Sequence, residues 1–230
     1  GESARPEKGY EKAAMARTIH GLSQSLGLKQ PGIAGHDIGL MVAYAYAAPG
    51  GTGKTTVIVP TGGTEKNGYH MVLGKHNYVV SFAANQMART LGNTLVAPAI
   101  QYVPEGDPDR QNPGSISLPS PAYDLLLDAA ARSLKAHGFK EILFIGDSGG
   151  NQAGMTAVAK TLNDEWKDAG TTVFALTDYY EEGRVHYRAW LEAAYGYEDA
   201  TIGAHAGISD TSQMLYVHPA GIRKDRIMPW

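Results

Sequence analysis

The sequence predicts a single three-layer α/β/α domain with a mainly parallel β-sheet. Strand-like runs rich in β-branched and aromatic residues alternate along the chain with long helical runs, which is typical of βαβ units. One strand run, EILFIGD at 141–147, is apolar over most of its length, as expected for a strand covered on both faces. In such a sheet the functional site lies outside the carboxyl ends of the strands.

The individual elements follow from apolar periodicity and from the residues that begin and end helices. Pro6 precedes the first helix and Gly27 ends it, and Gly92 and Gly138 close two later helices. The predicted helices are 7–27, 78–92, 120–138, 151–170 and 186–196. The predicted strands are 40–47, 55–63, 94–103, 141–147 and 171–180. The segment 104–121 carries five prolines and two glycines and is predicted to be a long surface loop.

Composition excludes several classes of protein. A chain of 230 residues with 43% hydrophobic residues is expected to form one domain over 1–230. The formal charge of -3 gives no electrostatic basis for binding nucleic acid or an anionic membrane, and no apolar run suggests a membrane span. Without cysteine, a metal has to be bound by His and carboxylate side chains. We expect a soluble protein, cytoplasmic or exported.

A glycine-rich turn at 48–55, APGGTGKT, is similar to a relaxed phosphate-binding loop. Lys54 and Thr55 would contact phosphate and magnesium. That role requires a helix beginning at the lysine, because the amides of the first helical turn bind the phosphate. The run that follows, TTVIVP, is β-branched instead, so we expect a turn between two strands and no nucleotide binding.

A second turn, GDSGG at 146–150, has the G-x-S-x-G spacing of a nucleophile elbow. A strand precedes it and a helix follows it, as the elbow requires. Ser148 would be the nucleophile, with Asp178 and either His205 or His218 completing a triad. Small residues and serine are also common at ordinary strand-to-helix turns, so a purely structural role stays open.

Two further segments combine imidazole and carboxylate side chains. Glu65, His70 and His76 lie within twelve residues after the strand 55–63, and they can converge on one cation or simply lie on the surface. In GAHAGISDTS at 203–212, small residues flank His205 and leave one side open to a ligand. Asp210 can serve the site or begin the next helix as its N-cap.

Taken in order, four blocks between residues 55 and 220 resemble the creatininase family of metal-dependent amidohydrolases. The family segment E-x-H-G-x-H-x-P-L-G-T-D is matched by EKNGYHMVLGKH at 65–76, and F-P-G-T-I-S-L by PGSISL at 113–118. The turn N-G-H-G-G-N is matched by GDSGGN at 146–151, and H-A-G-x-x-E-T-S-x-M-L by HAGISDTSQML at 205–215. The resemblance implies a creatininase-like fold and hydrolysis of a C–N bond.

The metal-ligand positions depart from the family pattern. A ligand histidine is replaced by Asn67, the aspartate that bridges two metals by His76, and the histidine of the N-G-H turn by Ser148. Asp210 stands in place of a glutamate, whereas Glu65 is retained. A neutral imidazole cannot bridge two cations as a carboxylate does, so we expect one divalent metal, Zn or Mn, in place of two.

The expected substrate is a small amide or cyclic amide, with the metal polarising its carbonyl and His205 moving protons. The predicted catalytic residues are His205, Ser148 and Asp147; the substrate-binding residues are Asn67, Tyr69, His70 and Tyr179; the metal ligands are Glu65, His76 and Asp210, with Asp147 as the alternative third ligand. The alternatives are a metal-free serine hydrolase that uses Ser148, with no cofactor, and a non-catalytic relative that binds a small ligand. The resemblance also implies a homo-oligomer.

The position of the first helix suggests a rearranged family member. The helix 7–27 precedes the family-like core, and we expect it to take the place of the family's C-terminal helix. Residues 1 and 230 would then lie close together.

Overall fold

A computed structural model describes residues 12–28, 55–106 and 113–227 of the chain. These ranges contain a four-stranded sheet with the order β2-β1-β3-β4. Its strands are β1 (Thr56–Thr61), β2 (Thr94–Val96), β3 (Glu141–Gly146) and β4 (Thr172–Ala175). Every neighbouring pair is parallel, which confirms the predicted sheet.

Helices connect the strands and extend beyond the last one. They are α1 (Lys12–Ser25), α2 (Lys75–Leu91), α3 (Ser120–Ala136), α4 (Asn151–Glu165), α5 (Asp178–Glu181), α6 (Tyr187–Tyr195), α7 (Asp199–Ile202) and α8 (Ile208–Val217). A π-helical turn, Glu182–His186, joins α5 to α6, and two short 3-10 turns follow α8. Within the described ranges, no helix combines the length and apolar character needed to cross a membrane.

Alternate residues of the central strands face two different layers of helices. Val57 and Val59 belong to a core shared with Tyr123 of α3 and Met155 of α4. Ile58 and its neighbours pack on the opposite face against α2. Side chains alternate across a strand, so these two separate cores confirm the three-layer α/β/α arrangement.

Two predicted strands are shorter in the structure. The ladder of β2 ends at Val96, and only single bridges continue at Ile100 and Val103. Pro98 interrupts this segment because proline has no N–H to donate. The predicted strand 171–180 ends at Ala175, and its last residues form α5.

Some sequence-based predictions fall outside the described residues. These are the strand 40–47, the glycine turn that contains Lys54, and the proximity of residues 1 and 230.

Candidate active site

The candidate site lies at the carboxyl edge of the sheet. Thr61, the last residue of β1, pairs with Gly146, the last residue of β3, so the loops after both strands start at the same place. Helix α2 then begins close to this edge. A Cβ atom on Gly62 would lie 2.0 Å from the Asn77 side-chain oxygen, so the missing side chain allows that approach. The first two residues of α2, Lys75 and His76, thereby reach the site.

His76 is the centre of the site and joins two carboxylates. Its Nδ1 lies 2.7 Å from Oδ2 of Asp147, and its Nε2 lies 2.7 Å from Oε1 of Glu65. Burial and the charge of Lys75 oppose protonation, but the hydrogen bonds to Asp147 and Glu65 outweigh them and raise the pKa of His76 to about 9. The side chain is therefore an imidazolium that bridges two acids.

Lys75 extends this network on the other side of Asp147. Its Nζ donates to Oδ1 of Asp210 at 2.7 Å and lies 3.8 Å from Oδ2 of Asp147. Burial opposes the charge, but the two carboxylates outweigh it and raise the lysine pKa above its usual value. Tyr179 donates its hydroxyl to Oδ1 of Asp147 at 3.1 Å. Burial and the Asp147 charge raise the pKa of Tyr179 far above its usual range, so it stays a donor.

His205 approaches Glu65 from a different loop. Its Nδ1 lies 3.3 Å from Oε1 of Glu65, and its side chain is 65% exposed whereas that of Glu65 is 14% exposed. Burial would raise the pKa of Glu65, but hydrogen bonds from His205 and His76 hold it well below its usual range. The bond to Glu65 in turn raises the pKa of His205. An ionised carboxylate only accepts, so Nδ1 donates and Nε2 is left free for a ligand.

The backbone beside His205 is fixed by two side chains, Asp210 and Thr211. Ala206 has a φ of 56°, in the left-handed region that non-glycine residues rarely adopt. Its N–H donates to Oδ2 of Asp210 at 2.9 Å, and its carbonyl accepts from the Thr211 hydroxyl at 3.0 Å. That hydroxyl also lies 3.0 Å from Nε2 of His70. Asp210 as an N-cap is wrong, because α8 begins at Ile208 and Asp210 is inside its first turn.

Two cavities meet at His205. The larger, of about 1030 Å³, is lined by Lys75, His76, Asp147 and Tyr179 among others. The smaller, of about 500 Å³, is lined mainly by apolar atoms and also includes His205 in its lining. A ligand in the larger cavity can contact the ionic network directly, whereas in the smaller cavity His205 is the lining residue that contacts Glu65.

The predicted substrate-binding residues occupy three different environments. Tyr179 lines the larger cavity, whereas Tyr69 and His70 line the smaller one. Tyr69 is 70% exposed and lies beneath the ammonium of Lys66. Asn67 is fully buried, and its amide nitrogen lies 3.5 Å from Oε1 of Glu65. These side chains do not form one surface around a single ligand.

Ser148 does not contact an imidazole among the described residues. Its hydroxyl donates to Oε2 of Glu105 at 3.2 Å. His218, one predicted triad partner, stacks on Tyr78 with ring centroids 4.1 Å apart. Burial and the nearby charge of Glu65 raise the pKa of Glu105 to about 7. The described structure thus places an acid, and no base of the predicted triad, next to this serine.

Sequence reasoning did not identify Lys75 and Glu105 as part of the site. A signal existed for Lys75, because it directly precedes His76 and stands where the family segment has threonine. No motif marks Glu105, which lies in the predicted loop 104–121 and reaches the site through the fold. Both residues are charged groups, so the electrostatics of the site could not be estimated without them.

The metal implied by the family resemblance does not fit the side chains present. Both imidazole nitrogens of His76 are within 2.7 Å of carboxylate oxygens, so neither offers a lone pair. Of the two carboxylates predicted as a third ligand, Asp147 lies against Nδ1 of His76 and Asp210 contacts Lys75. Over 12–28, 55–106 and 113–227, no group of three or more His, Asp or Glu side chains is arranged to hold a metal ion. Glu65, His76 and Asp210 are not assembled as a ligand set.

Solved structures of known proteins have the same fold. A manganese creatininase superimposes with a TM-score of 0.64 and 22% identity, covering 77% of this chain and 71% of its own. A variant creatininase complexed with creatine superimposes with a TM-score of 0.62 at 22% identity, over the same shares of the two chains. Another variant is a Zn-Zn type, so creatininases of this fold bind divalent metals.

Sequence comparison gives the family. The chain is 26% identical over 197 residues to the mycofactocin precursor peptide peptidase of Mycolicibacterium smegmatis, covering 79% of this chain and 70% of the relative. The corresponding peptidase of Mycobacterium tuberculosis is covered over only 62% of its length. Creatinine amidohydrolase of Pseudomonas putida is 22% identical over 203 residues, covering 83% and 75%. A sequence model of the creatininase family, described as creatinine amidohydrolase, matches residues 45–229. The chain therefore belongs to the creatininase family of amidohydrolases.

Proposed function

We propose that this chain hydrolyses a C–N bond of a small amide or cyclic amide, with His205 as the general base. The observation that carries the proposal is the contact between Glu65 and an exposed His205 at the edge of a cavity of about 1030 Å³. A cavity of this size accommodates a small molecule. The relatives named above are a peptidase and an amidohydrolase, and both names describe cleavage of an amide bond.

The first step is activation of water. Nδ1 of His205 lies 3.3 Å from the Glu65 carboxylate, which favours the tautomer with the proton on Nδ1 and a lone pair on Nε2. A water molecule bound there transfers a proton to Nε2 as its oxygen attacks the carbonyl carbon. The Glu65 carboxylate then stabilises the imidazolium that forms.

The second step needs positive charge close to the carbonyl oxygen. Lys75 and His76 both line the larger cavity, and their charges are held in place by the carboxylates around them. Fixed cations in a partly buried site stabilise the negative charge that develops on the oxygen of the tetrahedral intermediate. Collapse of this intermediate breaks the C–N bond, and the nitrogen takes the proton from His205. A linear amide yields a carboxylic acid and an amine, and a cyclic amide yields one ring-opened product that carries both groups.

The experiment is a hydrolysis assay with a panel of small amides that includes creatinine, other cyclic amides and short peptides. For His205→Ala we expect kcat to fall by roughly 10²- to 10⁴-fold, as for loss of a general base. His137→Ala is the matched control, because His137 is an exposed histidine at the end of α3. Its kcat is expected to equal that of the native protein.

Two results would contradict this proposal. One is full activity of His205→Ala on the substrate that the native protein hydrolyses. The other is covalent labelling of Ser148 by a fluorophosphonate, which would indicate a serine nucleophile. Absence of hydrolysis over the whole panel, together with binding of an amide in the cavity, would favour a non-catalytic relative.

A further inference from the structure

The ionic side chains at the site form a chain of alternating charge. Asp210 contacts Lys75 at 2.7 Å, and Lys75 lies 3.8 Å from Asp147. Asp147 contacts His76 at 2.7 Å, and His76 contacts Glu65 at the same distance. Three carboxylates are thus separated from one another by two cationic side chains. All five side chains are buried or nearly so, with exposed fractions between 5% and 14%.

The chain of contacts closes on itself through the His205 loop. His205 lies 3.3 Å from the Glu65 end, and the N–H of the next residue, Ala206, donates to Asp210 at the other end. Asp210 therefore has a donor on each of its oxygens, one from Lys75 and one from Ala206. In this closed arrangement both ring nitrogens of His76 and both carboxylate oxygens of Asp210 already have partners.

At the position of His76, the charges of bridging residue and bridged groups are the opposite of those in a two-metal centre. In the family pattern, this position carries an aspartate that bridges two cations. Here both ring nitrogens of His76 lie 2.7 Å from carboxylate oxygens, so the imidazole bridges two acids and has no nitrogen open to a metal. To bind a metal, His76 would have to lose a proton and break one of these contacts.

Lys75 also adds a positive charge at a position where the family pattern has none. Its ammonium lies among Asp210 and Asp147, where the family pattern has an uncharged threonine. A divalent ion placed near these carboxylates would have to approach two positive side chains already bound to them. At separations of about 4 Å such repulsion amounts to several kcal/mol at the effective dielectric constant of a protein site.

We propose that Lys75 and His76 are built-in cations that replace the family's metal centre, so that the native protein neither binds nor requires a divalent metal at this site. The two side chains compensate two of the three negative charges on the carboxylates that metal ions would otherwise hold. The inference concerns metal binding alone, so its test does not depend on finding the substrate.

The first experiment measures metal on the native protein. Elemental analysis after purification, followed by titration with Zn²⁺ and Mn²⁺ with thermal unfolding as the readout, is expected to give far less than one equivalent and no shift in Tm. The chelator EDTA is expected to leave the Tm unchanged. About one tightly bound equivalent that is lost in Glu65→Gln would overturn the proposal, because a structural metal stabilises the folded state by its binding free energy.

The second experiment restores the family pattern. A variant carrying Lys75→Thr, His76→Asp, Asn67→His and Ser148→His regains the family's ligand residues except at Asp210, which remains a carboxylate, and we expect Zn²⁺ or Mn²⁺ to raise its Tm. The matched control carries only Asn67→His and Ser148→His, keeps both cations, and is expected to show no such shift.

An equal metal-induced shift in the control would overturn the assignment to Lys75 and His76, and so would a folded fourfold variant that binds no metal. If the fourfold variant does not fold, the titration of the native protein decides alone. Failure of the proposed hydrolysis would be recognised separately, by a lack of turnover in a protein whose metal content is already known.

Discussion

Two groups of ion pairs in this protein have similar distances and different surroundings. On the surface, Arg132 of α3 contacts both carboxylate oxygens of Glu165 at 2.7 and 2.6 Å, with side chains 44% and 49% exposed. At the sheet edge, His76 contacts Glu65 and Asp147 at 2.7 Å with exposed fractions of only 8–14%. The distances alone would suggest equal strength.

Solvent makes the difference. Water and salt screen the surface pair, and its charged groups are well hydrated without each other. The buried groups have lost their hydration, so each depends on its partner, and removing one partner leaves an uncompensated charge. A contact of the same length therefore contributes strongly to stability when it is buried at the site and little when it is exposed on the surface.

The largest expected effect follows from removing the bridging cation. His76→Leu leaves Glu65 and Asp147 without their shared donor, and we expect the free energy of unfolding to fall by about 3–5 kcal/mol, as for other broken buried ion pairs. Urea unfolding measures the change. Arg132→Leu is the surface counterpart and is expected to cost much less. An equal loss of unfolding free energy in both variants would contradict a difference between the buried and the exposed ion pair.

A smaller effect is expected from pH. The pKa of His76 rises from 6.5 to about 9 on folding, so its contribution is complete below pH 6.5 and is lost as pH rises through 9. This shift corresponds to a loss on the order of 3 kcal/mol. The groups facing His76 are Lys75, Glu65 and Asp147. The raised pKa of His205 acts in the same direction. Urea midpoints measured over this pH range test the predicted loss of stability. A midpoint that stays constant from pH 6.5 to 9 would contradict it.

Glu105 gives a separate window at lower pH. Burial and the charge of Glu65 raise its pKa from 4.5 to about 7, against the opposing effects of His76, the Ser148 hydroxyl and His205. Its contribution is therefore complete below pH 4.5 and is lost as pH rises through 7. Glu105→Gln should remove the pH dependence of stability between 4.5 and 7 while the part above 7 remains. If the variant keeps its pH dependence of stability between pH 4.5 and 7, a group other than Glu105 titrates in that range.

The smallest effect is expected at the surface. Glu165→Gln removes one charge of the exposed pair and keeps the shape of the side chain. Its urea midpoint is expected to stay close to that of the native protein and to coincide with it at high salt, because exposed charges are screened. Glu65→Gln is the matched substitution at the site. A larger fall of the urea midpoint in Glu165→Gln than in Glu65→Gln would contradict the greater importance of the buried contact.

Much of the fold was predictable because it depends on local patterns. The strand EILFIGD at 141–147 and the helix after it were found from apolar runs and glycine positions, and the structure has β3 and α4 there. The end of β4 was not predictable, because residues 176–180 have strand-like side chains and yet turn into α5 beneath the site. The spacing of apolar residues predicts which side chains are buried. It does not predict where a strand ends, because that depends on contacts with distant segments.

The site divides in the same way. The sequence by itself determined the family, through four ordered blocks, and it predicted that Glu65 and His76 converge after β1 and that His205 moves protons. The structure brings Glu65 and His76 together, with His76 in the first turn of α2 and not in the predicted loop. Only the tertiary structure decided that Lys75 meets Asp210, 135 residues away, and that Glu105 reaches Ser148. It also decided that His76 bridges two carboxylates, where its spacing from Glu65 suggested a shared metal. The physical reason is that charge state depends on burial and on partners from distant segments, and the parallel strand ends bring those segments together.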